Sequence, residues 1–220
     1  AVRSLETGVC HIYHKKFDSW SNDDLLAYIK EGTDDRLYAI AQLIRGGVDL
    51  ALIYNNTKID MFFLEKFKNI VEFESVVRDH PMDPETLRDA KRMGFSDKFI
   101  GQLWGLSQHD VYRLREKNNI FPVYKMIDTC ASEFDSYVPY FYSTYEQENE
   151  SKVSDKEKII VLGSGPIRIG QGVEFDYSTV HAIWSIREAG YEAIIINNNP
   201  ETVSTDFDTG DRLYFEDIHL

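Results

Sequence analysis

Hydrophobic residues recur every three or four positions through the first half of the chain, which is the spacing of amphipathic helices. Residues that cap helix starts precede several of these stretches: Ser21, Asp34 or Asp35, Asp49, Asp60 and Asp83 with Pro84. Gly46, Gly47 and Gly94 stand where helices are expected to end. Residues 21–119 are therefore predicted to form an all-α helical domain.

The longest predicted helix follows Asp60 and should bury one face. Apolar side chains at helical spacing form the predicted stripe: Phe63, Phe67, Ile70, Val71 and Val77.

A short repeat, Gly94-Phe95-Ser96 and Gly105-Leu106-Ser107, predicts a tight helical hairpin. Each copy is a glycine stop, an apolar residue and a serine cap. Some hairpins of this kind bind DNA, but a formal net charge of -13 repels phosphate backbones. We therefore expect this hairpin to serve packing and the protein not to bind nucleic acid.

The hydrophobic pattern changes in the second half of the chain. Residues 121–126 look extended, and tyrosines crowd around Pro139. This segment is either an irregular packed one or one that ties two domains together. Residues 146–158 have the polar composition of a linker. The apolar runs 159–162 and 193–196 predict parallel strands joined by a helix around residues 180–186, with a possible third strand at 213–215.

The predicted fold class is thus an all-α domain followed by a truncated α/β segment with a Rossmann-like β-α-β unit. One such unit leaves an open sheet edge and an uncovered face, so we expect it to be unstable in isolation. The chain does not start with Met and stops where a second crossover would begin, so we expect it to be an excised piece of a longer protein.

A glycine loop follows the first strand of this unit and contains Gly163, Gly165, Arg168, Gly170, Gln171 and Gly172. Arg168 occupies the last glycine position of a dinucleotide-binding loop, and Asn197-Asn198-Asn199 replace the acid that would bind a ribose. The loop also lacks the Gly-Lys-Ser/Thr of a P-loop. It is either a sharp turn alone or a contact for an anion or a partner chain, at the sheet edge that also receives residues 199–206.

Other candidate chemistry is weaker. Two cysteines, Cys10 and Cys130, fit a reducing cytosol. Cys10-His11-x-x-His14 lacks a second ligand pair for zinc, and Asp206, Asp208 and Asp211 miss the calcium-loop spacing. No apolar run is long enough to span a membrane, and no signal peptide is apparent.

Longer motifs carry a specific resemblance. Residues 165–177, Gly-Pro-Ile-Arg-Ile-Gly-Gln-Gly-Val-Glu-Phe-Asp-Tyr, and residues 199–208 resemble the opening of the second half of carbamoyl phosphate synthetase large subunits. Residues 57–60, 123–125, 128–131 and 142–146 are similar to the same family, and residues 3–6 resemble the end of its first ATP-grasp domain.

The resemblance implies four segments. Residues 1–17 would be the tail of a preceding ATP-grasp domain, and residues 18–145 a helical oligomerisation domain. Residues 146–158 would be a linker, and residues 159–220 the incomplete start of a pre-ATP-grasp domain.

The implied enzyme makes carbamoyl phosphate from bicarbonate, glutamine-derived ammonia and two ATP, with Mg or Mn. It would be cytoplasmic, with a small glutaminase subunit, self-association through the helical domain, and no membrane or nucleic-acid partner. By resemblance, this piece holds no catalytic residue and binds no cofactor, and Gly172, Glu174 and Glu201 line the carbamate tunnel. The alternative is a stand-alone helical interaction module with a small tail that only resembles a nucleotide-binding fold.

Overall fold

The computed structural model describes residues 2–5, 7–131, 133–134, 137–166 and 174–218, with backbone alone at 174 and 175. The chain divides into two compact units. The helical unit is Gly8–Ile120 with Val2, and the sheet unit is Phe121–Leu220 with Arg3–Thr7.

The helical unit contains a 3-10 turn at Lys15–Phe17 and seven α-helices within the described residues. These are α1 (Asn22–Tyr28), α2 (Arg36–Arg45), α3 (Leu50–Thr57), α4 (Met61–Asp79), α5 (Pro84–Arg92), α6 (Asp97–Trp104) and α7 (Gln108–Lys117). Predicted caps accept a backbone N–H at six helix starts: Ser21, Asp49, Asp60, Asp83, Ser96 and Ser107. Asp35 precedes α2 without capping it and instead binds Lys16 and Tyr28.

The core of the helical unit is apolar and close to solvent-free: Phe17, Leu25, Ile29, Ile40, Leu43, Ile53 and Leu64 are at most 1% exposed. The stripe predicted for α4 is partly wrong, because Phe63 is 57% exposed and Leu64 occupies the buried position. Consecutive helical residues point about 100° apart, so a face centred on Leu64 and Val71 turns Phe63 outward.

The predicted hairpin of α6 and α7 is confirmed. The backbone N–H of Leu106 donates to Gly101 O at 2.8 Å, and Gly105 turns the chain with φ +71°. A Cβ on Gly101 would lie 2.6 Å from Leu106 O, so only glycine fits this approach.

The sheet unit has five strands within the described residues: β1 (Val123–Met126), β2 (Tyr140–Thr144), β3 (Lys158–Leu162), β4 (Glu192–Ile196) and β5 (Arg212–Tyr214). Their order is β1-β2-β5-β4-β3, with only the β1–β2 pair antiparallel. Helix α8 (Glu174–Glu188) packs Ile183 against Ala193, Ile195 and Leu213 on one face. The predicted β-α-β unit and third strand are confirmed.

The tyrosine-rich segment forms a hairpin that extends the sheet. Phe141 of β2 is 2% exposed and stacks on Tyr214 of β5, with ring centroids 5.3 Å apart. Residues 121–145 therefore group with the sheet unit, although the resemblance implied a helical domain that extends to residue 145. The hairpin covers the outer edge of β5, so this side of the β-α-β unit is not an open sheet edge.

Strand β3 forms the other edge of the sheet. One face of this strand is uncovered, as the sequence predicted. Its Ile160 and Leu162 are 56% and 66% exposed. They alternate with Val161, which packs toward α8.

The polar segment 146–158 packs against the sheet. Ser151 is buried, and its Oγ lies 2.6 Å from Tyr214 Oη and accepts from Arg212 at 3.2 Å. Glu150 N donates to Tyr124 O at 2.8 Å. We call residues 149–157 the strap. Among the described residues, no helix is both long enough and apolar enough to cross a membrane.

Candidate site at the carboxyl ends of β3 and β4

Two predicted segments meet at one edge of the sheet. Gly163 and Gly165 follow β3, and Asn197 follows β4, which pairs with β3 in parallel. Parallel strands end at the same edge, so the start of the glycine loop and the asparagine segment are neighbours there.

The structure describes only some of the other residues that were predicted to belong to this site. Arg168, Gly170, Gln171 and Gly172 lie outside the described residues. Glu174 is the first residue of α8, and only its backbone is described. Glu201 is exposed and lies four residues beyond Asn197.

Close packing requires a glycine at position 163. Its N–H donates to Ile196 O at 2.8 Å, which continues the β3–β4 ladder by one bond. A Cβ at this position would lie 2.4 Å from Cγ of Asn197. The first glycine of the loop therefore lets β3 end against the Asn197 side chain.

Asn197 organises the turn between the two segments. The side chain is fully buried, and its Oδ1 accepts from Gly165 N at 3.1 Å and Asn198 N at 3.0 Å. One amide oxygen thus holds the glycine loop and the chain after β4 together. In the sequence alone, this asparagine stands out only because it lacks the charge that would bind a ribose.

The next two asparagines fix the chain beyond Asn197. Asn198 Nδ2 donates to Ser4 O at 2.8 Å. Asn199 Oδ1 accepts from Glu201 N at 3.0 Å, which is an Asx turn. The backbone of Glu201 is therefore held while its carboxylate extends into solvent.

The loop after Glu201 is tied to α8. Asp176, in the first turn of that helix, accepts from Ser204 N at 2.9 Å. Ser204 lies in a 3-10 turn, Val203–Thr205, whose last carbonyl accepts from Tyr140 Oη at 2.7 Å. The carboxylate of Asp176 therefore positions this loop beside the start of α8.

The described residues contain no group of three or more His, Cys, Asp or Glu side chains arranged to hold a metal. His11 is instead paired with Glu74, and its Nε2 lies 2.9 Å from Oε1 of Glu74. Asp211 Oδ2 accepts from Ala193 N at 2.8 Å, so this side chain closes the start of β4.

Two family models match the chain. Residues 1–119 match the oligomerisation domain of the carbamoyl-phosphate synthetase large chain, and residues 155–220 match the carbamoyl phosphate synthase preATP-grasp domain. The first match alone covers more than half of the 220 residues. The chain belongs to the carbamoyl-phosphate synthetase large chain family. Membership confirms the resemblance seen in the sequence and implies a ligase-type synthase in full-length form.

The carboxyl edge lies within the part of the family match that covers the preATP-grasp domain. Sequence reasoning named the glycine loop and Glu201 there but missed the structural parts of Asn197 and Asp176. The sequence signal that could have identified Asn197 is the run of three asparagines, 197–199, directly after an apolar strand. Side chains at that position in an α/β sheet face the place where ligands bind.

Proposed function

We propose that this chain is an internal part of the large subunit of glutamine-dependent carbamoyl phosphate synthetase. The whole enzyme makes carbamoyl phosphate from bicarbonate, glutamine-derived ammonia and two ATP. The two family matches, in the order oligomerisation domain then preATP-grasp domain, carry this proposal.

The helical unit serves self-association in this proposal. Phe62 and Phe63 at the start of α4 are each 57% exposed, and their ring centroids lie 5.4 Å apart. Large exposed apolar side chains close together are typical of contact surfaces. The partner is a second copy of the chain, because residues 1–119 match a domain described by oligomerisation.

The carboxyl edge of the sheet forms part of the wall of the carbamate tunnel, with Gly172, Glu174 and Glu201 as lining residues. Such a wall shields reactive intermediates from water and needs no proton transfer of its own. The held backbone of Glu201 and its exposed carboxylate support this role.

The remaining chemistry belongs to other parts of the enzyme. ATP and its Mg or Mn bind there, ammonia comes from a small glutaminase subunit, and this piece alone is inactive. The enzyme is cytoplasmic and serves arginine or pyrimidine synthesis.

The tunnel role is tested in the full-length enzyme with Glu174→Ala and Glu201→Ala. Both should raise the glutamine and ATP consumed for each carbamoyl phosphate formed, because intermediates leak before the second phosphorylation. Glu188→Ala, at the other end of α8, is the control. Unchanged coupling in both tunnel variants contradicts the role.

The self-association surface is tested on this chain by light scattering after size exclusion. The double substitution Phe62→Ser, Phe63→Ser should lower the mass of the assembly. Met82→Ser is the control, since Met82 is 56% exposed and follows α4, whose last residue lies about 25 Å from Phe62 at 1.5 Å per residue. A monomeric wild-type chain argues against self-association through this unit.

A further inference from the structure

A cavity in the helical unit is bounded by the chain before α1 and by helix α6. Its volume is about 250 Å³, and it is lined by residues 8–11, 13–15, 98, 99 and 102. None of the described residues that line it is an aspartate or a glutamate, although the chain has 37 acidic residues and 24 basic ones. The charge of this lining is therefore opposite to that of the chain as a whole.

His11 holds the two walls of the cavity together. This residue is 8% exposed, and its imidazole stacks on Phe99 of α6 with ring centroids 3.7 Å apart. Its Nε2 lies 2.9 Å from Oε1 of Glu74 on α4. Because one buried ring contacts both helices, the cavity is fixed by the packing of the helical unit.

Four polar side chains among the lining residues are hydrogen-bond donors. Lys15 and Lys98 supply ammonium groups, and Gln102, one helical turn after Lys98, supplies an amide. His14 Nδ1 accepts from Lys16 N at 3.1 Å, so its Nε2 carries a hydrogen whether or not the ring is protonated. The tautomer of His14 therefore makes this side chain a donor as well.

The two lysines lack a counter-charge. Within the part of the chain that the structure describes, neither Lys15 nor Lys98 forms an ion pair or a side-chain hydrogen bond. Glu74 and Asp97, the buried carboxylates next to these walls, are each bound by basic side chains elsewhere. Two positive charges at one cavity thus remain available to an anion.

This set of donors suits a phosphate group. Phosphate oxygens are strong acceptors, and lysine is a common phosphate ligand that acts as a point charge. A planar carboxylate is better matched by the two parallel N–H groups of arginine, which no described lining residue provides. The volume of the cavity leaves room for a small substituent on the phosphate.

We propose that this cavity binds a phosphate group, either free or on a small metabolite, through Lys15, Lys98, His14 and Gln102. The group is held by charge and hydrogen bonds, and no bond is made or broken there. The site lies within the helical unit and depends on neither the tunnel role nor the self-association role.

Isothermal titration calorimetry of this chain with inorganic phosphate, in chloride buffers of equal ionic strength, tests the proposal. The double substitution Lys15→Gln, Lys98→Gln should weaken the affinity at least about tenfold, since two charge-assisted hydrogen bonds are lost. The double substitution Lys30→Gln, Lys117→Gln is the matched control, because it removes the same charge from exposed lysines that do not line the cavity. Circular dichroism shows that each variant folds.

Cys10 lines the cavity and reports whether phosphate binds there. Phosphate should slow the alkylation of Cys10 by the neutral reagent iodoacetamide, measured by peptide mass spectrometry. Cys130 is the internal control, since this second free cysteine belongs to the sheet unit and should react at an unchanged rate. The protection of Cys10 should disappear in Lys15→Gln, Lys98→Gln.

Glycerol 3-phosphate distinguishes the two sources of the phosphate group. Tighter binding than that of inorganic phosphate assigns the cavity to a phosphorylated metabolite, and equal or weaker binding assigns it to free phosphate. Glycerol alone should neither bind nor protect Cys10.

The proposal is overturned if phosphate leaves the alkylation rate of Cys10 unchanged, because any heat would then come from binding elsewhere. Equal weakening of phosphate binding in the two lysine pairs also overturns it, since long-range charge would explain the effect. If Cys10 does not react even without phosphate, the calorimetric comparison of the two lysine pairs decides.

Discussion

Oδ2 of Asp97 lies 2.7 Å from Nη2 of Arg115, and both side chains are about nine-tenths buried. Lys91 Nζ lies 2.8 Å from the other oxygen of the same carboxylate. One carboxylate at the first position of α6 thus pairs with a cation from α5 and a cation from α7. Lys91 also donates to Phe95 O, and Arg115 to Ile120 O, which anchors both turns that flank the hairpin.

Removing the charge of Asp97 should strongly destabilise the helical unit. Asp97→Asn removes the charge that Asp97 sets against the buried Lys91 and Arg115, and breaking a buried pair in this way costs about 3–5 kcal/mol. Urea unfolding followed by far-UV circular dichroism measures the loss. Asp89→Asn is the control, because Asp89 pairs with Arg92 at 3.5 Å on the exposed surface. A loss below about 1 kcal/mol for Asp97→Asn would show that the three helices do not depend on this carboxylate.

Glu74 joins α4 to α2 and to the segment before α1. Arg45 donates from Nη2 to Oε1 at 2.6 Å and from Nε to Oε2 at 2.9 Å. His11 Nε2 lies 2.9 Å from Oε1, and the imidazole stacks on Phe99 with ring centroids 3.7 Å apart. Burial raises the pKa of Glu74, but the hydrogen bonds from Arg45 and His11 outweigh it and hold the pKa below its ordinary value.

This lowered pKa predicts a specific acid sensitivity. The folded state binds the Glu74 proton less tightly than the unfolded chain does, so the stabilisation is present above the ordinary value of 4.5 and is lost as the pH falls through the lower folded value. The free energy of unfolding, measured from pH 7 to pH 3, should differ most between wild type and Glu74→Gln at pH 7. That difference should shrink below about pH 4.5.

The control for this pH dependence is Glu72→Gln, since Glu72 is exposed on α4 and pairs with Lys68 at 3.6 Å. Its difference from wild type should be small at every pH. A Glu74→Gln difference that is constant with pH would rule out the titration of Glu74 as its origin.

Gly101 should tolerate no side chain. Gly101→Ala places a Cβ 2.6 Å from Leu106 O, and a backbone atom cannot move aside without opening the α6–α7 turn. We expect a loss of about 1–3 kcal/mol in the free energy of unfolding. Gly32→Ala is the control, because its Cβ would lie 3.9 Å from its nearest neighbour, Nη1 of Arg36. Equal stability of the two variants would contradict this account of the hairpin.

The helical unit was the more predictable part of the chain, because its start signals are local. A serine or aspartate before an amphipathic stretch acts within three residues, so six of the predicted caps could be found without knowing the tertiary structure. Asp97 and Glu74 could not be found in this way. Arg115 lies 18 residues from Asp97, and Arg45 and His11 lie 29 and 63 residues from Glu74, so only the packing of helices brings these groups together.

In the sheet unit, too, only the elements with a local sequence signal could be predicted. Apolar runs identified β3 and β4, but β2 has polar residues and depends on pairing with β5, more than 65 residues later. At the candidate site, the glycine pattern pointed to the correct edge. The position of Gly163 against Asn197 and the bond from Asp176 to Ser204 N require the fold.

The strap should open when Glu192 loses its charge. Glu192 is 5% exposed and accepts hydrogen bonds from Ser154 Oγ of the strap and, at 2.7 Å, from Arg212 Nε. These bonds lower its pKa although burial raises it, so the carboxylate is ionised at neutral pH. Glu192→Gln weakens both bonds and leaves Arg212, whose side chain is only 13% exposed, without the charge of Glu192.

Trypsin reports the opening directly, because Lys152 and Lys156 lie in the strap. Cleavage in a native protein follows the population of the open state when opening is fast, and a hydrogen bond to a charged group contributes about 1.5–3 kcal/mol. Cutting after these lysines should therefore be about tenfold faster in Glu192→Gln than in wild type. Glu148→Gln is the control, since Glu148 is 85% exposed and its ion pair with Lys125 Nζ is a long one, at 3.6 Å. Equal cleavage rates in both variants would mean that Ser151, with its bonds to Tyr214 and Arg212, holds the strap without help from Glu192.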